Sequence, residues 1–151
     1  MVNVQLLRYV GAGLAFFVAG IHALQPTLGF PRLVQHVLLG AFYDPRPLVF
    51  TLSSLAIVAG VLLVFNGVAK RQIYLLGIGL MLTYLLGYVV WHTALDHGAF
   101  WPYIASQPHT DQGLVEVIVL HLTQKPIELV SKVAELLLAG VLVVLYRVDH
   151  D

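Results

Sequence analysis

Apolar residues run along this chain in four long blocks, separated by polar stretches of unequal length. The blocks extend from about Leu6 to Leu24, Leu48 to Phe65, Ile73 to His92 and Ile127 to Tyr146. Each approaches the ~20 residues needed to cross a ~30 Å hydrocarbon core. A backbone in lipid must satisfy its own hydrogen bonds, so each block predicts a transmembrane helix. The first stops before Pro26, the second at Asn66-Gly67, and the fourth opens behind Pro126, where a missing N–H is harmless. The first block, with Arg8 near its start and Ala23 near its end, reads as a retained helix and not as a cleaved signal peptide.

The connections differ. Gly67 to Gln72 is a tight turn carrying Lys70 and Arg71. The segments 25–47 and 96–126 are longer and hold short amphipathic pieces. In Pro31–Phe42, Arg32, Gln35 and His36 share one helical face, while Leu33, Val34, Val37, Leu38 and Ala41 occupy the other; this pattern predicts an interfacial helix. Asp111–Thr123 is apolar but too short to span, so it is expected to be interfacial or re-entrant, with Thr110 as its N-cap. Phe100, Trp101 and Tyr103 form an aromatic cluster suited to the headgroup level. Arg8, Lys70, Arg71 and Arg147 fall on one side of this topology, whereas Arg32, Arg46 and Lys125 fall on the other. The positive-inside rule then places both termini in the cytoplasm, with the chain in the plasma membrane.

Composition agrees with the pattern. Hydrophobic residues make up 59% of the 151 positions and charged residues 11%, against roughly 25% charged in a soluble domain. Mean hydropathy is +0.86. Basic and acidic residues balance at 8 each, which leaves no basic footprint for nucleic acid. There is no cysteine, which excludes disulfides, thiol redox centres, cysteine-ligated clusters and cysteine nucleophiles. No GxGxxG, Walker, GxSxG or HExxH pattern is present. Residues 1–151 form one transmembrane domain without internal repeats.

Seven histidines carry most of the remaining information. Six of them, His22, His36, His92, His97, His109 and His121, fall at one end of the predicted bundle, and only His150 falls at the other. In the third block Tyr84, Tyr88, His92 and Asp96 recur every four residues and so share one helix face. Gly77 and Met81 continue the line. A polar stripe in a membrane helix should face the bundle interior. In one reading it is internal glue, with Asp96 accepting a hydrogen bond from His92. In the other, His92 is a metal or haem ligand that Asp96 joins or orients.

Glu135 lies nine residues past Pro126, about 13 Å into the last span. A carboxylate at that depth must face inward and find a partner. Glu128, Lys132 and Glu135 share one face and would form a local ladder; alternatively Glu135 faces the His92 level as a metal ligand or proton acceptor. His22 is expected at the height of His92. A cluster of His22, His92, Asp96, His97, His121 and Glu135 would suit Zn, Cu or non-haem Fe, and His22 with His92 would suit the axial positions of a haem b. Gly11, Gly13, Gly20, Gly60, Gly77, Gly79 and Gly87 are expected to permit close helix contact.

The runs GAGLAFFVAGIHAL and LSSLAIVAGVLLVFNGVAKRQIYLLGIGLML, over about the first 90 residues, resemble the small four-helix DoxX/DoxD membrane family. The resemblance lies in a glycine-bearing first helix and a Gly–basic turn between the second and third. It implies a four-helix bundle and, for some members, association with quinone or sulfur redox enzymes. The segment WHTALDHGAFWP lies outside that pattern, and no functional residue is carried over.

The expected fold is therefore all-α, a four-helix transmembrane bundle with one or two interfacial helices. The leading expectation for function is binding of a metal ion or haem b at the outer end of the bundle, for redox chemistry or metal handling. Two rivals stand beside it. One is an accessory subunit of a larger membrane complex or homo-oligomer. The other is a binder of a quinone-like molecule, with Tyr84, Tyr88 and His92 supplying hydrogen bonds in an apolar pocket.

Overall fold

A computed structural model of the chain describes residues 3–95, 98 and 113–149. The described residues form helices and no strands: α1 (Val4–Leu24), α2 (Phe30–Leu39), α3 (Arg46–Phe65), α4 (Lys70–His92), α5 (Leu114–Gln124) and α6 (Pro126–Val148). Helices α1, α3, α4 and α6 are each long and apolar enough to cross a membrane. They extend the predicted blocks by no more than three residues at any end. The chain is a membrane protein whose outer surface is apolar side chain, with Leu24 and Leu76 more than 70% exposed in the isolated chain. In a bilayer such residues face lipid at no cost.

Local chemistry sets the helix ends. Asn3 caps α1, its Oδ1 accepting from the Leu6 N–H at 3.1 Å, which satisfies one orphan donor. Prolines sit in the first turns of α2, α3 and α6. Gly40 closes α2 in the left-handed conformation. Ala69, at the start of α4, has φ +45°, an uncommon conformation for a residue with a Cβ.

The four long helices pack in the cyclic order α1–α3–α4–α6, each antiparallel to its neighbours. Their core is Ala15, Val18, Ala19, Ile57, Met81, Tyr84, Ala134, Leu138 and Ala139. Two polar clasps fix the register of α1 against α6. Arg8 meets Asp149 at one end, and fourteen residues further along each helix His22 meets Glu135, a separation of about 21 Å. The short helices α2 and α5 both stand at the end opposite the α3–α4 turn, beside α3 and α6 respectively.

Three expectations change. His36 does not share the exposed face of Arg32 and Gln35: those two bond each other at 3.0 Å, while His36 turns inward and is buried. An imidazole is apolar enough on its ring face to pack, and here it meets Phe42 edge-on. Helix α5 begins after Gly113, with no side-chain cap; Thr110 lies outside the described residues, as do Phe100, Trp101 and Tyr103. Among the glycines, a Cβ on Gly11, Gly60 or Gly77 would press on Val141, Ile73 or Leu142, whereas Gly13, Gly20, Gly79 and Gly87 have open space beside them. The first three face neighbouring helices. The other four do not, so composition alone overstated their role in packing.

Candidate functional site

Among the described residues, one level of the bundle interior holds a fully buried carboxylate. There Glu135, with no exposed surface, accepts hydrogen bonds at Oε1 from His22 Nε2 (2.9 Å), Ser131 Oγ (2.9 Å) and Lys132 Nζ (2.8 Å). Its Oε2 accepts from Lys132 Nζ at 2.7 Å. Ser131 and Lys132 stand four and three residues before Glu135, so one helix turn of α6 brings all three together. His22 comes from α1. Its ring packs against both Phe50 of α3 (5.0 Å) and Tyr84 of α4 (4.2 Å), which also stack on each other at 5.8 Å. Tyr84 in turn shares a hydrogen bond with Ser53. All four long helices thus contribute to one buried centre. A carboxylate here would be costly without partners, and His22, Ser131 and Lys132 supply them.

A polar column leads from this centre toward the α2–α5 end. The Lys132 ammonium lies 5.1 Å from the centre of the Tyr88 ring and 5.9 Å from that of Tyr84, within cation–π range. The Tyr88 hydroxyl donates to Glu128 at 2.9 Å, and Glu128 pairs with Lys125 at 3.1 Å, near the exposed start of α6. The expected Glu128–Lys132–Glu135 ladder is therefore split: Lys132 turns inward to Glu135, and Glu128 turns outward to Lys125 and across to α4. In the opposite direction the column stops at the apolar layer of Val18, Met81 and Leu138.

A second pair stands further out. The rings of His92 and His121 are 4.6 Å apart, and both residues are buried. The Nδ1–H of His92 donates to the Tyr88 carbonyl and that of His121 to the Val117 carbonyl, each at 2.8 Å. In a neutral ring this bond fixes the tautomer protonated at Nδ1. A further buried imidazole, His36, has an Nδ1 without a hydrogen-bond partner among the described residues. Nearby Asp44 is bound by Arg46 through its backbone N–H (3.0 Å) and its guanidinium (2.7–3.0 Å). Burial pushes this carboxyl up, but those bonds and the Arg46 charge outweigh it and hold Asp44 below the usual carboxylate range.

The single cluster expected from the sequence resolves into two pairs. His22 stands at the level of Tyr84, not of His92, because the Arg8–Asp149 clasp sets the height of α1. Tyr84 and His92 are eight residues apart, about 12 Å along α4. Ligands of one metal must each come within about 2 Å of it, so His22 and His92 share neither a metal ion nor a haem iron in this arrangement. Among the described residues no three histidine or carboxylate side chains converge as a metal-binding group. Asp96 and His97, together with His109 and His150, lie outside the described residues.

The stripe of α4 behaves as expected where it is described. Met81, Tyr84 and His92 are buried, and Tyr88 is half-buried. The sequence reading missed Ser131, Ser53 and Phe50. Ser131 was detectable by its i, i+4 spacing from Glu135; Phe50 and Ser53 carried no signal in a helix rich in similar residues. Tyr84, Tyr88 and His92 do not line the cavity of about 320 Å³ that the bundle holds elsewhere. That cavity lies below the apolar layer, lined by Ala12, Ala15, Gly60, Gly77 and Leu138 among others, with Arg8 and Tyr74 at its far end.

No protein-family model, curated protein or solved structure matches this chain.

Proposed function

We propose that this chain is a membrane-embedded binding protein for a quinone-like molecule, an apolar ring bearing hydrogen-bond-accepting carbonyls. The site is the outer half of the bundle, from the His22–Glu135–Lys132 centre to Tyr88. The observation that carries this reading is the fully buried Glu135, held by three side chains and connected, among the described residues, through Lys132, Tyr88 and Glu128 to one end of the bundle. A buried ion pair contributes little net stability compared with apolar packing, and ionisable groups at membrane depth mark substrate and proton paths. Lys132 and Tyr84 would donate to a carbonyl. Glu135, Lys132 and His22 would exchange the proton that accompanies a change in the ligand's charge. The DoxX/DoxD resemblance, which implies association with quinone or sulfur redox enzymes for some members, is compatible with this ligand class. The surplus of cations around the α3–α4 turn supports a cytoplasmic location for that turn and both termini, in a plasma membrane.

A specific observation favours a second reading. Both His92 and His121 donate Nδ1–H to a backbone carbonyl, the outer bond that orients metal-bound imidazoles. This pair would contribute two ligands to Zn, Cu or Fe. The packing of α2 and α5 at the same end also suits an accessory subunit that docks there on a larger complex.

One preparation tests these readings. The chain, purified in mild detergent, is assayed for bound metals by mass spectrometry and by its visible spectrum, then titrated with a short-chain benzoquinone followed by tryptophan fluorescence. The proposal expects saturable quinone binding that weakens about tenfold, the worth of one hydrogen bond to a charged group, in Lys132→Met and Glu135→Gln. Absence of saturable binding overturns it. Stoichiometric metal that is lost in His92→Ala and His121→Ala, with no quinone binding, selects the second reading.

A further inference from the structure

The 320 Å³ cavity on the other side of the apolar layer belongs to neither polar pair. An apolar cavity of about half that size stays dry and takes up benzene, so this one is large enough for an extended hydrocarbon segment. Its walls are alanine, glycine and branched aliphatic side chains from all four long helices. The two polar residues at its end, Arg8 and Tyr74, are already committed to Asp149 at 2.6 Å each, so the interior offers nothing to a polar ligand.

The mouth is between α3 and α4, where the lining residues Ala56, Ala59, Leu63 and Leu76 are exposed. The cavity extends along these helices to Phe65 and Ile73, beside the turn that joins them. Lys70 and Arg71 stand on that turn, less than one helix turn before Ile73 and Tyr74. Among the described residues this end carries Arg8, Lys70, Arg71 and Arg147 against the single carboxylate of Asp149. Arg8 satisfies that carboxylate in bidentate fashion. Lys70 reaches it only at 3.6 Å, and Arg71 lies exposed against the Tyr146 ring and hydroxyl. A dry slot open to the bilayer core, ending beside an excess of cations at the interface, matches a molecule with a hydrocarbon chain and an anionic head.

We infer that the α3–α4 groove seats one acyl chain of an anionic phospholipid, whose phosphate rests on Lys70 and Arg71. Native mass spectrometry of the detergent-purified chain, with phosphatidylglycerol or phosphatidylcholine added at equal concentration, tests this. The expected result is a phosphatidylglycerol adduct favoured by about fivefold or more, the order expected of one or two juxtamembrane cations. Lys70→Gln with Arg71→Gln should bring the two lipids to parity, and Ala59→Phe, which fills the mouth, should reduce both adducts. Circular dichroism confirms that the variants fold; Arg71→Gln alone, at an exposed position, carries the decision if the double variant does not. Equal retention of the two lipids by the native chain overturns the inference, as does a preference that survives loss of the cations. Adducts indifferent to Ala59→Phe would do so too. A dimer that disappears in Ala59→Phe would assign the groove to a second copy of the chain and overturn it as well.

Discussion

His22 Nε2 stands 2.9 Å from Glu135 Oε1 and joins α1 to α6 inside the bundle, in the same register that brings Arg8 to Asp149 near the end of the helices. The two contacts differ in what they do. The Arg8–Asp149 pair lies near an interface and holds the helices at a height. The His22–Glu135 pair lies at membrane depth, where every polar group must be answered by another, and it draws Ser131, Lys132, Tyr84 and Ser53 into one network.

The first prediction concerns Lys132 and Glu135. Removing one partner of a buried ion pair costs about 3–5 kcal/mol, because the other charge is left unpaired, whereas apolar replacement of both is often neutral. Lys132→Met and Glu135→Leu should each lower the detergent melting temperature sharply. The double variant should recover most of the loss. Thermal unfolding followed by circular dichroism measures the coupling, and additive losses would show that the two charges do not form a unit.

The second concerns pH. Hydrogen bonds from Arg8, aided by Tyr74 and by the charges of Arg8 and Lys70, hold Asp149 at about 2 against the upward push of burial. An aspartate in the unfolded chain titrates near 3.9. A carboxyl whose pKa is depressed by folding stabilises the folded state above the unfolded value, and loses that contribution as pH falls through the folded one. The contribution is on the order of 2–3 kcal/mol at neutral pH. The melting temperature should therefore fall between about pH 4 and pH 2 through this group. Asp149→Asn should be less stable at pH 7 and should lose this part of the acid slope in a pH series of melts.

The third concerns Ala69. Its φ of +45° places a Cβ where the left-handed backbone disfavours it by roughly 1–2 kcal/mol. Glycine relieves that cost but loses some entropy on folding. Ala69→Gly should raise stability by about 0.5–1 kcal/mol, read as a higher melting temperature with unchanged helicity; a drop would mean that the Ala69 methyl packs better than its backbone suggests.

Much of this architecture could be read from residue order, and the reasons for the rest are specific. The spans were legible because twenty apolar residues bounded by Pro26, Asn66-Gly67 and Pro126 have one solution in lipid. The inward stripe of Tyr84, Tyr88 and His92 followed from the four-residue spacing, and the need of Glu135 for partners followed from its depth. The height of α1 against α4 did not follow. Counting from helix starts put His22 beside His92, but the Arg8–Asp149 clasp joins residues 141 apart, and no local pattern reveals it. His36 was misjudged for a related reason. On a ten-residue helix a one-position rotation moves an imidazole from the exposed face to the buried one, and the neighbours that fix the rotation come from elsewhere in the chain.

The fourth prediction separates the two ways His22 is held. Its ring stacks against Phe50 and Tyr84, an arrangement worth about 0.5–1.5 kcal/mol beyond area burial. Its Nε2–H serves a buried carboxylate, and a hydrogen bond to a charged group is worth about 1.5–3 kcal/mol. His22→Gln keeps a donor within reach of Glu135 and gives up the stack. His22→Phe keeps the stack and removes the donor. If the carboxylate sets the energetics, His22→Phe should melt lower than His22→Gln by an amount on the order of 1–2 kcal/mol, the difference between those contributions. Adding Glu135→Gln to each variant sharpens the comparison, because a neutral amide demands less of the missing donor: the penalty of His22→Phe should shrink, while that of His22→Gln should hardly change. Equal melting temperatures for the two single variants would instead assign His22 to the aromatic stack, leaving Lys132 and Ser131 as sufficient partners for Glu135.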